Sequence, residues 1–395
     1  MSYNMNIQNV YINKISVFLP NDPIDNQTME HILGQVGEKP SRARAIILKS
    51  NGIKTRYYAI DPRTRQATHS NSELAAQAIK TLYNDDLQAI KKMTFLACGT
   101  SYPDQIMPGH GVMVHGELKT SQPCEVHSCA GVCVAGMSAL KQAYNAIKTG
   151  EHYTAIACAS ETASAVMRSE NFQVEIEQKI NQLDIRPEIA FEKDFLRWML
   201  SDGAGAMQLS NQANPHCLSL KIHWIDLLSY ANEMPACMYA GGDFHDDKFI
   251  GWKQYTQTEQ QAQSLLSVKQ NVKLLNENIV KYTVEKMLAN SIKKHDLKNE
   301  QIDYFLPHYS SNYFRDKLYQ GLVNIGFHIP YEKWFTNLSS KGNTGSASIY
   351  IILEEFIRTQ SLKHGQKILC YIPESGRFSS CFMLLEVIHP NKQEQ

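Results

Sequence analysis

Three residues of this 395-residue chain are of types that can do acyl-transfer chemistry together. They are Cys129 in "HSCAGVCVAGMSAL", His308 at the end of the apolar run "IDYFLPH", and Asn343 in "SSKGNTGSAS". A cysteine supplies a nucleophile, an imidazole a base or hydrogen-bond donor, and an uncharged amide a donor to a thioester carbonyl. The spacing places Cys129 where a strand becomes a helix. A helix N-terminus offers unpaired N–H groups and the positive end of the dipole, which favour thiolate over thiol and can hold a developing oxyanion. Gly131 and Gly136 allow backbone or substrate to approach closely. The run "AGVCVAGMSAL" is apolar or small on every side and polarity begins at Lys141, so this helix is expected to start in the protein interior.

The other cysteines and histidines carry plainer expectations. Cys133, Cys98, Cys158 and Cys370 fit small buried hydrophobes. His127, His223 and His328 fit satisfied structural histidines. Cys124, His127 and Cys129 are conceivable metal ligands, but no second pair completes a four-ligand set, so no metal is expected.

The elements that must position these residues alternate between short apolar strands and helical patterns: "VYINKISVFL", "MTFLACGTS", "TAIACAS", "GAMQLS", "CLSLKIHWIDLL", "IDYFLPHYS", "KILCYIP" and "SCFMLLEVI". This alternation predicts an α/β architecture with buried sheets. The second half repeats the order of the first. Cys129 precedes Ile156 by 27 positions (156 minus 129) and Asn343 precedes Leu369 by 26 (369 minus 343), so both stand at equivalent corners of two copies. The turn-rich stretch "SNQANPH" marks the seam and predicts halves 1–212 and 213–395 with a site between them. Insertions at 163–199 and roughly 230–268 are expected to cap that site. Residues 269–295 have helical spacing and are expected to be scaffold.

Zero formal charge, 43% hydrophobic and 20% charged residues describe an ordinary globular chain and argue against nucleic acid as a partner. The N-terminus has no basic leader, no stretch reaches the roughly 18 apolar residues of a membrane span, and the cysteines are irregularly spaced, so a cytoplasmic protein with reduced thiols is expected.

With these motifs, the sequence resembles the thiolase-fold condensing enzymes, specifically the β-ketoacyl-acyl-carrier-protein synthase III group. The resemblance runs from "NGIKTRYYA" through "HSCAG", "LSDGAGAM", "LPHYSS" and "SKGNTGSAS" to "PESGRFSS". It implies a five-layered αβαβα fold of two pseudo-repeated halves, a homodimer, and acyl transfer to cysteine followed by Claisen condensation. Cys129 would take the acyl group, His308 and Asn343 would bind the second carbonyl and its enolate, and the N–H groups of Cys129 and Gly376 would form the oxyanion hole. Substrates would be acyl thioesters borne on phosphopantetheine, from acyl carrier protein or coenzyme A, with no further cofactor.

The chain departs from the priming synthases at "HYSSN", where they usually carry His-Gln-Ala-Asn. The 163–199 insertion and the opening "ISVFLPNDPIDN" look more like the branch that makes dialkylresorcinol precursors. Those enzymes join a β-ketoacyl to an α,β-unsaturated acyl thioester by Claisen and Michael steps into a 2,5-disubstituted cyclohexane-1,3-dione. Glu161 in "ACASETAS", just past a strand end, would then move an α-proton or serve as a structural acceptor. Arg197 would contact the carrier or a lid, or pair with Asp194 or Glu192. From Lys39 to Ile60 the chain has Arg42, Arg44, Lys54 and Arg56 among its bases and no acid. That is either a solvated face or a rim attracting an acidic carrier or coenzyme A phosphates. The rival readings are a priming synthase using malonyl thioester and a non-catalytic partner subunit of a ketosynthase heterodimer.

Overall fold

The computed structural model describes residues 7–35, 44–172 and 196–390. Most of the 163–199 insertion, with Glu192 and Asp194, lies outside the described residues, as does Arg42.

Nine strands form the main sheet: β1 (Tyr11–Phe18), β2 (Phe95–Thr100), β3 (Glu125–Ala130), β4 (Thr154–Glu161), β5 (Gly203–Ser210), β6 (Ser219–Ser229), β7 (Tyr304–Pro307), β8 (Lys367–Pro373) and β9 (Ser379–Ile388). Their order across the sheet is β7-β8-β9-β6-β1-β5-β4-β2-β3. Only two residue pairs, Tyr11↔Lys221 and Ile12↔Leu220, join β1 to β6, so the sheet divides there into two parts. In the first part β2 runs parallel to β3 and β4, and β5 is antiparallel to both β4 and β1. In the second part β7 is parallel to β8, and β9 is antiparallel to both β8 and β6. The place corresponding to β3 is held by one parallel bridge, Phe305 to Trp334. The same pairing senses therefore recur in the same spatial order, and residues 211–218 join β5 to β6.

The principal helices are α1 (Asn71–Leu82), α2 (His110–Glu117), α3 (Ala135–Lys148), α4 (Val272–Val280), α5 (Met287–His295), α6 (Arg315–Asn324) and α7 (Ser348–Thr359). Strand side chains alternate between faces, and their alternation reveals the layers. On β4, Ala155, Ala157 and Ala159 enter a central core while Ile156 and Cys158 enter an outer core with Leu74 and Ile79 of α1. On β8, Ile368, Cys370 and Ile372 enter the same central core, while Leu369 and Tyr371 face Leu275 of α4 and Leu318 of α6. Between the two parts lie α3 and α7, contributing Leu140, Ala143, Ile349 and Leu353. The fold is thus five-layered, αβαβα.

The middle layer is tight. Tyr350 Oη donates to the Gly136 carbonyl at 2.8 Å, and a Cβ on Gly136 would lie 2.3 Å from the Ser346 carbonyl oxygen. Only glycine fits where α3 meets the turn before α7. Outside the sheet, α4 runs through a π-helical turn (Lys281–Lys286) into α5. The Thr283 carbonyl there accepts from Ser380 Oγ at 2.8 Å. Among the described residues no helix is long and apolar enough to cross a membrane.

Candidate active site

Strand β7 ends at Pro307, and the next backbone N–H, of His308, donates to the Tyr371 carbonyl at 2.8 Å, holding the imidazole at the strand end. Asn343 is fixed from both sides: its N–H donates to the Met199 carbonyl at 2.9 Å and its own carbonyl accepts from Ser201 N at 2.8 Å. Its Oδ1 accepts from Gly345 N at 3.0 Å, which leaves Nδ2 as the donor for a ligand. Both side chains line one cavity of about 1210 Å³, mouth included. Among the described residues neither ring nitrogen of His308 has a hydrogen-bond partner within the chain, although the residue is only 3% exposed.

The thiol in that cavity wall belongs to Cys133 and not to Cys129. Strand β3 continues through Cys129, which stands opposite Gly99 in the ladder and packs half-buried against the central core. A four-residue turn follows, and α3 begins only at Ala135 with Val134 as its N-cap. The strand-to-helix corner therefore carries Cys133, four residues beyond the expected position. Burial pushes its thiol well up, and the carboxylates of Glu374 and Glu161 add to that shift. The N–H groups of Val132 and Val134, on either side of it, donate to Glu374 Oε2 at 2.9 and 3.3 Å.

Glu161, the last residue of β4, lines the cavity and is 3% exposed. Its Oε1 accepts from Ser101 N at 2.9 Å, Ser101 Oγ at 2.5 Å and Ser346 N at 3.1 Å, while Oε2 meets Thr100 Oγ1 at 3.4 Å. Burial raises its carboxyl above the usual range despite these bonds. Gly345 has φ +54 and a Cβ there would lie 3.0 Å from Glu161 Cγ, so the close approach of Asn343 and Glu161 depends on glycine. Gly376 does not line the cavity, but a Cβ on it would lie 2.8 Å from Val132 Cγ2, so its backbone adjoins the Cys133 turn.

The apolar wall includes Met199, Leu200, Phe314 and Leu318, together with Leu275, Ile279 and Val280 of α4. Within the 269–295 segment, α4 is thus part of the site as well as scaffold. Helical spacing marked those residues as buried but not what they faced.

The expected basic rim is only partly at the surface. Arg56 is fully buried, donating to Asn26 Oδ1 at 2.6 Å and the Trp198 carbonyl at 3.3 Å, because its strand position faces inward. Arg197 is 2% exposed and donates to the carbonyls of Met167 and Gly34 at 2.9 and 2.5 Å. Neither can receive a carrier. Arg44 pairs with Glu30 at 2.7 Å, and Lys54 remains exposed. His127, His223 and His328 bond Glu125, Glu386 and Tyr319 Oη. Among the described residues one group has metal-ligand spacing, Glu125, Glu151 and His152, away from the cavity.

Burial pushes His308 down to about 4, which favours a neutral imidazole, a form able to donate or accept a hydrogen bond. A histidine lowered in the fold leaves stability unaffected above its unfolded value near 6.5. Below that pH the unfolded chain binds a proton that the folded chain refuses, so stability falls until about pH 4 and then levels off. Wild type is therefore expected to lose roughly 2–3 kcal/mol more than His308→Asn between pH 7 and 4.5, measured by urea denaturation at each pH. His110, also lowered to about 4, is present in both proteins and cancels in the comparison.

Residues 292–373, which hold His308 and Asn343, match the family model described as 3-oxoacyl-[acyl-carrier-protein (ACP)] synthase III C terminal. The fold is similar to AbyA1, a tetronic acid condensing enzyme, with TM-score 0.72, 15% identity, and 95% of this chain and 99% of that one covered. It is also similar to 3-oxoacyl-[acyl-carrier-protein] synthase III from Aquifex aeolicus VF5, with TM-score 0.69, 19% identity and coverage of 95% and 99%. A third likeness is to a single-residue variant of OleA from Xanthomonas campestris, with TM-score 0.71, 19% identity and coverage of 97% and 99%. At these identities the likeness establishes the thiolase-like fold.

Proposed function

We propose that this protein is a condensing ketosynthase that joins two acyl thioesters through an acyl-enzyme on Cys133. The observation that carries the reading is the joint exposure of Cys133, His308, Asn343 and Glu161 to one largely apolar cavity. In the first step Cys133 Sγ attacks the thioester carbonyl, its proton leaves with the departing pantetheine thiol, and the acyl group stays on sulfur. Because Glu374 takes the N–H groups of Val132 and Val134, the backbone N–H groups of Cys133 and Gly376 are the proposed oxyanion donors. The second thioester then places its carbonyl oxygen against His308 Nε2–H and Asn343 Nδ2–H, which stabilise an enolate. Carbon–carbon bond formation breaks the acyl–sulfur bond and expels Cys133 Sγ as thiolate, which takes back the proton lost from the donor's α-carbon to restore the thiol.

Glu161 favours a donor that must lose an α-proton rather than carbon dioxide, because a buried carboxylate with a raised pKa is a base tuned for that task. On this ground the finer reading is the union of a β-ketoacyl with an α,β-unsaturated acyl thioester, by Claisen and Michael steps, to a 2,5-disubstituted cyclohexane-1,3-dione. Incubating the protein with both thioesters is expected to form a ring that keeps the β-ketoacyl thioester carboxyl as a substituent; hydrolysis by water frees that thiol, and loss of the carboxyl as carbon dioxide leaves the 2,5-disubstituted dione, identified by its mass. A linear β-ketoacyl product from malonyl thioester alone would support the priming reading instead.

The proposed donors are acyl carrier protein or coenzyme A thioesters, with exposed Lys54 as a docking charge. A homodimer is proposed through β3, the outer strand of the sheet, whose unpaired edge offers backbone groups to a second copy.

A further inference from the structure

Glu374 follows β8 and belongs to the second half of the chain, yet its carboxylate sits on the turn that carries the thiol of the first half. One oxygen, Oε2, accepts from both Val132 N and Val134 N, bracketing Cys133. The clamp itself is held. Glu374 N donates to the Ser379 carbonyl at 2.9 Å. Val132 Cγ2 lies 2.8 Å from where a Cβ on Gly376 would be, closing the same contact from the other side. Glu374 is 6% exposed, and every hydrogen bond shown to it comes from a neutral donor.

A neutral serine or asparagine would satisfy two N–H groups at a helix start equally well. A carboxylate does so while placing a negative charge beside the nucleophile, which disfavours a second negative charge on sulfur. The other titratable residues lining the cavity with Cys133 are Glu161 from the end of β4, His308 from the end of β7, and Tyr102, Tyr239, Tyr309 and Tyr371. Of these only Glu161 adds a like charge, and it is bound to Ser101 and Ser346 instead of to the Cys133 turn.

We propose that Glu374 is a positioning residue that clamps the nucleophile turn of one half to the strand end of the other and keeps the Cys133 thiol protonated in the empty site. This rests on Cys133 being the nucleophile. When the acyl group is transferred and the pantetheine thiol departs with the Cys133 proton, the sulfur becomes a neutral thioester with no like-charge conflict, so the clamp favours the acylated over the ionised state.

The test is iodoacetamide alkylation of the full chain across pH 6 to 10, with the modified cysteine located by peptide fragmentation. It is run on wild type, Glu374→Gln and Glu374→Ala. Glutamine keeps the acceptor and removes the charge, so the Cys133 profile should move down by about one pH unit, roughly a tenfold faster reaction at pH 7. Alanine should shift it likewise, and should also speed amide hydrogen exchange at residues 130–136, where glutamine should not. Labelling at Cys133 with unmoved profiles in both variants overturns the charge role, and unchanged exchange in Glu374→Ala overturns the clamp. Labelling at Cys129 instead overturns the assignment of the nucleophile, and this inference with it.

Discussion

Cys133→Ala is expected to carry no acyl adduct after incubation with an acyl thioester, whereas Cys129→Ala should gain the adduct at close to the wild-type rate. Intact-protein mass spectrometry reads both outcomes directly. Cys133 stands in the turn before α3, in the wall of the cavity that also holds His308 and Asn343. Cys129 is a strand residue whose side chain packs on the central core. Removing the nucleophile of an enzyme whose groups act as a unit costs about 10³-fold or more in turnover. Removing a half-buried thiol at a sheet edge costs about 1 kcal/mol of stability and little else. The reverse pattern, an adduct retained in Cys133→Ala and lost in Cys129→Ala, would return the chemistry to the end of β3.

The same comparison explains what could be read in advance. Strand positions were legible because each is a short apolar run bounded by turn residues; the matched spacing of 27 and 26 was counted from Cys129, which lies within β3, and from Cys133 at the corner the intervals are 23 (156 minus 133) and 26 (369 minus 343). His308 was legible for a simple reason: β7 ends where the apolar run ends, so the next side chain has nowhere to go but the site. The cysteine was misplaced because "EVHSCA" continues as strand for its full length and the turn after it has no strong sequence mark beyond Gly131. Counting back from the first regular turn of α3, through the N-cap Val134, would have reached Cys133. Glu374 was not legible at all, since its partners are backbone groups 242 and 240 residues away. Arg56 was misjudged because charge was read without period: Arg56 and Tyr58 alternate in an extended segment and both face inward, the latter 1% exposed.

Glu161→Gln is expected to separate the two halves of the reaction. Glutamine can still accept at its carbonyl oxygen from Ser101 N and Ser346 N, so the wall of the cavity and the turn before α7 should stay in place. Acylation of Cys133, which needs no α-proton, should fall by no more than about twofold. Condensation with a non-malonyl donor should fall by about 10²–10⁴-fold, the contribution of a positioned general base. With a malonyl donor the enolate arises by loss of carbon dioxide, so the variant should keep most of its rate. The pH dependence has a definite sign. Wild-type rate with a non-malonyl donor should rise as pH passes upward through the raised carboxyl pKa of Glu161, because only the ionised form accepts the proton, and this limb should vanish in the variant. Equal losses with both donors would mean that Glu161 serves Ser101 and Ser346 alone, and that the α-proton leaves by another route.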